Sequence, residues 1–407
     1  MADQGEPRPA PRPRRDFAGK RAPGPGRGRD GGAAQLAAAQ AGVGRGDAAR
    51  GGAVHGSGGA STPRFDAAAR FPRRPAFAAL DLGTNNCRLL VARPDGGDFT
   101  IVDAFSRIVR LGEGMMETGR IGDAAMSRAI DALSVCADKL RRRRVLLSRA
   151  VATEACRRAA NGGEFIARVR RETGIALDII SPQEEARLAV LGCHQLLTPG
   201  DGPALIFDIG GGSTELVLID DRDGEPQMLA WQSVPWGVVS LTEAFRHDTT
   251  DRAARLSAYA AMRAAVRDAV RAFARRVDQR WPDRRVEQLR LLGTSGTVTT
   301  LASLYLDLPG YDRSRVDGLT VATPDMAALC ARLADMALAD REALPCVGRE
   351  RADLVVAGCA LLEEIIDIWP AASLHVADRG IREGVLRQLM FAHANAERGS
   401  RRRRGRL

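Results

Sequence analysis

The stretch ALIFDIGGGSTELVLID, residues 204–220, determines which fold class the chain can adopt. An apolar run leads into Asp208, three consecutive glycines follow, and a second apolar run begins after Glu215. Two strand-length runs around a glycine turn predict a β-hairpin. A turn with three glycines costs conformational entropy, so it indicates a place where another group must approach the backbone closely.

The same pattern occurs a second time in the chain. FAALDLGTNNCRLLVAR, residues 77–93, aligns without gaps with residues 204–220, so that Asp81 matches Asp208 and Gly83 matches Gly210. Glycines and small polar residues leave backbone N–H groups open to an anion such as phosphate. The Asp beside each turn supplies a carboxylate that a divalent cation could bridge to phosphate oxygens. Two matched hairpins therefore predict paired halves with one phosphate chain between them.

A third glycine-rich turn lies in LRLLGTSGTVTTLASLY, residues 289–305. It follows an apolar run and precedes a helix start, and helix N-termini bind anions through free N–H groups and the helix dipole. A plain strand–helix connection explains the same pattern. The lysine-containing nucleotide loop G-x-x-x-x-G-K-[ST] is absent, because neither Lys20 nor Lys139 lies in that context.

Helix-length stretches alternate with these strand-length runs. In residues 122–144 the apolar side chains recur every three or four positions, at Met126, Ile130, Leu133 and beyond, which places them on one face of a helix. The alternation of strands and helices predicts an α/β fold.

The net charge of +10 is confined to the ends of the 407-residue chain. Residues 1–74 and 397–407 are rich in Arg, whereas residues 75–396 carry a small net negative charge. Both terminal segments lack large apolar residues, which predicts disorder. They are either solvated arms or arms that contact polyanions, and composition leaves both open. Nucleic acid is expected as a partner only through weak contacts of these basic segments.

The apolar runs and the cysteines of the sequence indicate the cellular compartment of the protein. No apolar run approaches the roughly 18 residues of a membrane span, and the Arg-rich start lacks a secretory signal. The seven cysteines are scattered and form no C-x-x-C pair, which favours reduced thiols. We therefore expect a cytoplasmic protein without a membrane partner, and a homodimer is compatible with these features.

Six ordered motifs carry a resemblance to a known family. DLGTNNCRLL, ATEACRRAANGGEF, IISPQEEARLAVLG, FDIGGGSTELVL, LLGTSGTVTTLA and ADRGIREGVL occur between residues 77 and 386. In order and spacing they resemble the exopolyphosphatase and guanosine pentaphosphate phosphohydrolase family. The resemblance implies the fold of actin, sugar kinases and heat-shock ATPases, which is two ribonuclease-H-like α/β domains that flank a cleft. The chain resembles the short members, which lack a C-terminal metal-dependent helical domain.

The resemblance also implies domain boundaries. A basic arm over residues 1–74 precedes domain I, which takes 75–182 and about 381–396. Domain II takes 183–380, and a basic tail over 397–407 ends the chain.

The candidate catalytic residue is Glu185. In SPQEE, residues 181–185, Ser181 and Glu184 fit a capping box with Pro at the first helical position, which gives Glu184 a structural role and leaves Glu185 free. The family's catalytic glutamate aligns with Glu185, although the pattern alone is more typical of a surface helix residue.

The resemblance assigns the other site residues to phosphate or metal. It implies Mg²⁺ as the cofactor, with Asp208, Glu215 and Asp81 as ligands or as groups that orient the ligands. Arg88 and Arg157 would clamp phosphate oxygens, and an intramolecular salt bridge is the alternative for either. The three turns supply the remaining phosphate-binding residues, which are Gly83, Thr84, Asn85, Asn86, Gly210, Gly211, Gly212, Ser213, Ser295, Gly296 and Thr297.

These features together predict a hydrolase that removes the terminal phosphate of inorganic polyphosphate, with guanosine pentaphosphate as a further candidate substrate. An ATP-dependent kinase or ATPase of the same fold is one alternative. A sensor that binds polyphosphate or an alarmone without catalysis is the other.

Overall fold

The computed structural model of the chain describes residues 74–197, 200, 202–222, 226–282 and 289–404. The predicted basic arm, apart from its last residue, lies outside the described residues, as do residues 405–407 at the chain end.

The first half of the described chain forms a five-stranded mixed sheet. Its strands are β1 (Ala76–Leu82), β2 (Asn86–Asp95), β3 (Asp98–Ile108), β4 (Val145–Ala152) and β5 (Leu177–Ile179). The spatial order is β3-β2-β1-β4-β5. β1 pairs antiparallel with β2 and parallel with β4, so the first predicted hairpin lies at the centre of this sheet.

The second half forms a six-stranded mixed sheet. Its strands are β6 (Ala204–Ile209), β7 (Thr214–Asp220), β8 (Gln227–Val234), β9 (Arg290–Thr294), β10 (Thr320–Ala322) and β11 (Ser373–Ala377). The spatial order is β10-β11-β9-β6-β7-β8. β6 pairs antiparallel with β7 and parallel with β9, which repeats the arrangement around β1.

Helices cover both sheets. They are α1 (Met115–Thr118), α2 (Asp123–Arg143), α3 (Glu154–Arg158), α4 (Gly162–Thr173), α5 (Pro182–Cys193), α6 (Val238–Ala244), α7 (Arg252–Arg280), α8 (Gly296–Tyr305), α9 (Arg313–Val316), α10 (Thr323–Asp335), α11 (Leu338–Glu342), α12 (Val355–Ile368) and α13 (Ile381–Arg404). The predicted apolar face of α2 is buried at Met126, Ile130 and Leu133. Two mixed sheets with helices confirm the predicted α/β fold class.

The helix α5 lies between the two sheets. Leu188 and Ala189 pack with residues of β1, β2 and α13, whereas Ala186 and Val190 pack with residues of β6 and β7. A helix that is apolar on opposite faces is buried on both, which the sequence ARLAVLGC allows. This central position fixes Glu185, in the first turn of α5, at the junction of the two halves.

The helix α13 continues through most of the segment for which composition predicts a disordered tail. Its first turns pack on α5 and β1, and the helix extends to Arg404. Extension of an existing helix costs little, and Arg is a good helix former, so the tail can continue the helix without a core of its own. The predicted domain boundaries at 182/183 and 380/381 stay a prediction.

No helix in the described ranges is both long and apolar enough to cross a membrane.

Candidate active site

The two glycine-containing turns meet at the junction of the sheets. In both turns the first glycine donates its N–H to the carbonyl three residues later, from Gly83 to Asn86 and from Gly210 to Ser213, at 2.9 Å each. A Cβ atom on Gly211 would lie 2.9 Å from Thr84 Cβ, so only glycine allows the two turns to touch here. The entropic cost of the GGG turn is therefore explained by the close approach of the other turn.

The predicted site residues line one cavity, with the exception of Arg157. The two turns, the start of α5 and the start of α8 form its wall. The cavity thus brings together all three glycine-rich turns and the candidate catalytic residue Glu185.

The turns present unused hydrogen-bonding groups to the cavity. Within the described residues no acceptor takes the backbone N–H groups of Thr84, Asn85, Gly211 or Gly212. The side-chain oxygens Thr84 Oγ1, Asn85 Oδ1 and Asn86 Oδ1 are buried and also lack a partner in the described part of the chain. Buried polar groups are normally paired, so these atoms indicate a place where a polar ligand binds.

Three carboxylates, those of Asp81, Asp208 and Glu215, line this cavity. Burial, with further contributions from Glu215 and Asp81, raises the pKa of Asp208 to about 8. Burial also raises the pKa of Glu215 to about 7, although hydrogen bonds from two serines act against it. The pKa of Asp81 is raised by burial and lowered by the nearby Arg88. Like charges this close disfavour ionisation, and a bound cation would relieve that repulsion.

Two hydroxyl groups hold one carboxylate oxygen of Glu215, and the other oxygen is left free. Ser213 Oγ donates to Glu215 Oε1 at 2.7 Å, and Ser233 Oγ donates to the same oxygen at 2.9 Å. Ser213, predicted to bind phosphate, therefore orients a carboxylate in this structure. Among the described residues no group donates to Glu215 Oε2, which leaves that oxygen for a ligand.

Glu185 is buried and paired with Arg157. Arg157 Nη1 donates to Glu185 Oε2 at 3.1 Å and to the carbonyl of Ile180 at 2.8 Å, and its Nη2 bonds Glu154. Burial first, and then the charge of Glu215, raises the pKa of Glu185 well above its ordinary value, while Arg157 opposes the shift. Arg157 therefore forms salt bridges with two carboxylates, as the salt-bridge alternative predicts. It does not line the cavity.

Glu184 differs in detail from the predicted capping box. Ser181 Oγ accepts a hydrogen bond from Glu184 N at 3.2 Å, as predicted, and Pro182 starts the helix. The carboxylate does not return to the backbone of Ser181. It accepts hydrogen bonds from Arg149 and Arg187, whose guanidinium groups offer charged donors.

Arg351 is a cavity residue that the sequence reasoning missed. A Cβ atom on Gly296 would lie 3.8 Å from both Arg351 Nη1 and Arg88 Nη2, so the two guanidinium groups approach the same point. Burial lowers the pKa of Arg88, and nearby arginines, Arg351 among them, lower it further. Two cations that repel each other indicate an anion site. Arg351 lies in the stretch CVGRERADL, residues 346–354, which does not repeat the strand–turn pattern of the three glycine-rich turns, so no local signal marks it.

Ser295 precedes α8 in a strained conformation. Its φ of 139° lies in a region that non-glycine residues rarely occupy. Its hydroxyl accepts hydrogen bonds from the N–H groups of Thr297 and Val298. The third turn therefore reaches the cavity, but its own serine already caps part of the helix N-terminus.

The residues present fit a divalent cation that is shared with a substrate. In the part of the chain that the structure describes, no three His, Cys, Asp or Glu side chains converge as a ready-made metal cage. The cavity nevertheless offers oxygen donors, among them the unpartnered Asp81 Oδ1. Mg²⁺ is usually bound by one or two carboxylates together with water and substrate phosphates, a pattern that needs no such cage.

Curated relatives are similar over most of the described chain. Exopolyphosphatase 2 of Mycobacterium tuberculosis is 33% identical over 298 residues, which cover 71% of this chain and 89% of that protein. Guanosine-5'-triphosphate,3'-diphosphate pyrophosphatase of Aeromonas hydrophila is 29% identical over 317 residues, which cover 78% of this chain and 60% of that protein.

Solved structures share the fold. The crystal structure of an exopolyphosphatase from Cytophaga hutchinsonii superposes with a TM-score of 0.68 at 26% identity, over 78% of this chain and 98% of that one. The Aquifex aeolicus member of the Ppx/GppA family gives a TM-score of 0.61 at 28% identity, over the same shares. The sequence model of the Ppx/GppA phosphatase family matches residues 90–393. The resemblance seen in the motifs is confirmed, and the chain belongs to the Ppx/GppA phosphatase family.

Proposed function

We propose that the protein is an exopolyphosphatase, which hydrolyses the terminal phosphoanhydride bond of inorganic polyphosphate, and that guanosine pentaphosphate is its second candidate substrate. The family membership and the names of the relatives support a phosphoanhydride hydrolase.

The observation that carries the proposal is the combination of charges in the cavity. Arg88 and Arg351 line it together with Asp208 and Glu215, and the turns that line it carry unpaired backbone N–H groups. A chain of phosphates requires cationic and N–H donors, whereas the divalent cation that accompanies it requires carboxylates. The cavity offers both.

Glu185 is the group proposed to activate water. Its Oε2 is bonded to Arg157, so its Oε1 is the oxygen available to accept a proton. A carboxylate with a raised pKa is a better base near neutral pH. The water oxygen attacks the terminal phosphorus, the water proton passes to Glu185 Oε1, and the bond to the bridging oxygen breaks with its electron pair on the shortened chain.

The remaining residues bind and orient the reacting groups. Arg88, Arg351 and the N–H groups of the two turns bind phosphate oxygens and compensate their charge. Asp208 and Glu215, with Asp81 opposite, are proposed to hold Mg²⁺. When bound, Mg²⁺ neutralises charge on the phosphate oxygens.

The test is phosphate release in Mg²⁺ from long polyphosphate, short polyphosphate, guanosine pentaphosphate and ATP, measured side by side. We expect polyphosphate to be hydrolysed faster than ATP. Faster hydrolysis of ATP would favour the kinase or ATPase alternative. Tight binding of polyphosphate without phosphate release would favour the sensor. Glu185→Gln serves as the inactive control, so that phosphate from a contaminant is recognised.

A further inference from the structure

A salt bridge outside the cavity joins the two halves of the molecule. Arg110, which follows β3, donates from Nη1 to Asp353 Oδ2 at 3.1 Å and from Nη2 to the carbonyl of Glu350 at 3.3 Å. Both side chains are partly shielded from solvent, with exposed fractions of 36% and 23%. Water and salt screen a partly shielded pair less than a fully exposed one.

On one side the link is anchored directly on the first phosphate turn. The N–H groups of Val109 and Arg110 donate to the carbonyl of Asn85, at 2.8 and 3.1 Å, and the N–H of Gly112 donates to the carbonyl of Thr84 at 2.9 Å. The segment before α1 is thus bonded to the turn whose N–H groups face the cavity. A displacement of Arg110 would be transmitted to that turn.

On the other side the link is anchored two residues from Arg351. The carbonyl of Ala352 accepts a hydrogen bond from the fully buried Arg341 at 2.9 Å, which fixes the backbone between Arg351 and Asp353. Arg351 Nη1 lies 3.4 Å from Thr300 Oγ1 on α8. The segment that carries Arg351 into the cavity is therefore the segment that Arg110 binds.

The backbone of Arg110 is strained, which singles out its side chain. Its φ is 45°, in the left-handed region that disfavours residues other than Gly, Asn and Asp. The backbone alone would be better served by one of those residues. What those residues could not provide is a guanidinium group that bonds both Asp353 and the carbonyl of Glu350.

We propose that Arg110 is a positioning residue for substrate binding. By binding Asp353, it ties the segment of Arg351 to the first phosphate turn and so sets the distance between the guanidinium groups of Arg351 and Arg88. Phosphates that bridge these two groups require that distance. This inference rests on the proposed function, because it assigns the link a role in binding phosphate chains.

The variant that tests it is Arg110→Asn, because Asn tolerates the left-handed conformation and removes both bonds of the guanidinium group, to Asp353 and to the carbonyl of Glu350. We expect KM for long polyphosphate to rise about fivefold, the size expected for loss of a partly shielded ion pair. We expect kcat to change less than about twofold, and the melting temperature to stay the same or rise. Asp353→Asn should also raise KM, by a smaller factor, because the bond from Arg110 to the carbonyl of Glu350 remains.

The double variant Arg110→Asn/Asp353→Asn should be no worse than Arg110→Asn alone, because that single variant already removes the bond to Asp353. Arg110→Lys should restore part of the loss in KM, since it returns the charge. The matched control is Arg252→Asn, which breaks an exposed pair with Asp335 and should leave KM unchanged.

Three results would overturn the inference: an unchanged KM in Arg110→Asn, additive losses in the double variant, or a KM loss that follows a fall in melting temperature.

Calorimetric binding of polyphosphate without divalent cations separates this inference from the proposed function. If the wild type binds polyphosphate but does not hydrolyse it, the proposed function fails, and weaker binding by Arg110→Asn still supports the link. If the wild type neither binds nor hydrolyses polyphosphate, both are overturned.

Discussion

The two hairpins that meet in the cavity share a strand register and differ in charge. Asp81 lies opposite Arg88 across β1 and β2, and Asp208 lies opposite Glu215 at the equivalent place across β6 and β7. One hairpin therefore pairs a carboxylate with a cation, whereas the other pairs it with a second carboxylate. We propose that this single position in an otherwise repeated element gives the first hairpin a cation for phosphate and the second hairpin a further carboxylate for the metal.

The side chains around the turns extend this difference. In the first turn the oxygens of Thr84, Asn85 and Asn86 are buried and have no partner among the described residues. In the second turn the hydroxyl of Ser213 is committed to Glu215. The first turn is thus left open for a ligand, while the second uses its polar group to orient a carboxylate.

The largest expected effect belongs to the residue that lies between the hairpins. Glu185→Gln should lower kcat by ~10² to 10⁴, or about 3 to 5 kcal/mol of barrier, with KM little changed, because it removes the proposed base and keeps the shape. Steady-state phosphate release from polyphosphate measures both constants. A normal kcat would mean that one of the hairpins activates the water instead.

Glu215→Gln tests the acidic hairpin. The amide oxygen can still accept from Ser213 and Ser233, so the side chain should stay in place while its charge is lost. Metal-site changes of this kind cost about 10- to 100-fold, and we expect a rise of that order in the Mg²⁺ concentration needed for half-maximal activity. A Mg²⁺ titration at saturating polyphosphate is the measurement. An unchanged Mg²⁺ requirement would contradict the assignment of this hairpin to the metal.

Arg88→Gln tests the basic hairpin in the opposite way. Loss of one charge-assisted hydrogen bond to phosphate should raise KM for polyphosphate about tenfold. The Mg²⁺ requirement should change less than in Glu215→Gln, and not by zero, since Arg88 also compensates Asp81. The two variants together test which hairpin binds phosphate and which binds the metal. If Arg88→Gln shifted mainly the Mg²⁺ requirement and Glu215→Gln shifted mainly KM, the proposed division of labour between the hairpins would be reversed.

The sequence contained the hairpins, their glycines and their carboxylates because these are local patterns. The strand, turn and strand follow within 17 residues of one another, and the repeat fixes their register. Arg351 could not be predicted in this way, since it reaches the cavity from a segment far along the chain and owes its position to Arg341 and Thr300.

The partners of Arg157 also depend on tertiary structure. Local reasoning left a phosphate clamp and a salt bridge open for this residue. The choice depends on where α3 lies relative to α5, which follows from packing between the sheets and not from the motif ATEACRR. The partner Arg149 of Glu184 was missed for the same reason, because it comes from β4, whereas the other partner, Arg187, lies three residues along α5 and is local.

The acidic hairpin should also make stability depend on pH. The pKa of Asp208 is raised to about 8 and that of Glu215 to about 7, chiefly by burial, so the folded state binds protons that the unfolded state has released. Between about pH 6.5 and 8 these groups therefore lower the stability of the metal-free protein as pH rises.

Scanning fluorimetry in EDTA should show this as a melting temperature that falls by roughly 2 to 4 °C over that range. Asp208→Asn should flatten the slope, and added Mg²⁺ should stabilise the wild type more at the upper end of the range than at the lower end. Equal slopes in the wild type and Asp208→Asn would contradict the raised pKa. The same experiment on Asp81→Asn compares the two hairpins directly, and we expect the smaller change there because Arg88 compensates Asp81.

The smallest expected effect comes from Glu184, which touches neither hairpin. Its carboxylate pairs with Arg149 and Arg187, and the helix cap uses its backbone N–H, which a substitution leaves in place. Glu184→Gln should therefore lose at most about 1 kcal/mol of unfolding free energy and keep most of its activity. Urea unfolding and phosphate release measure the two effects. Because Glu184 and Glu185 are neighbours of the same type, the two variants make the same chemical change, and any difference in activity comes from the position of the side chain. A greater rate loss in Glu184→Gln than in Glu185→Gln would mean that Glu184, and not Glu185, is the base.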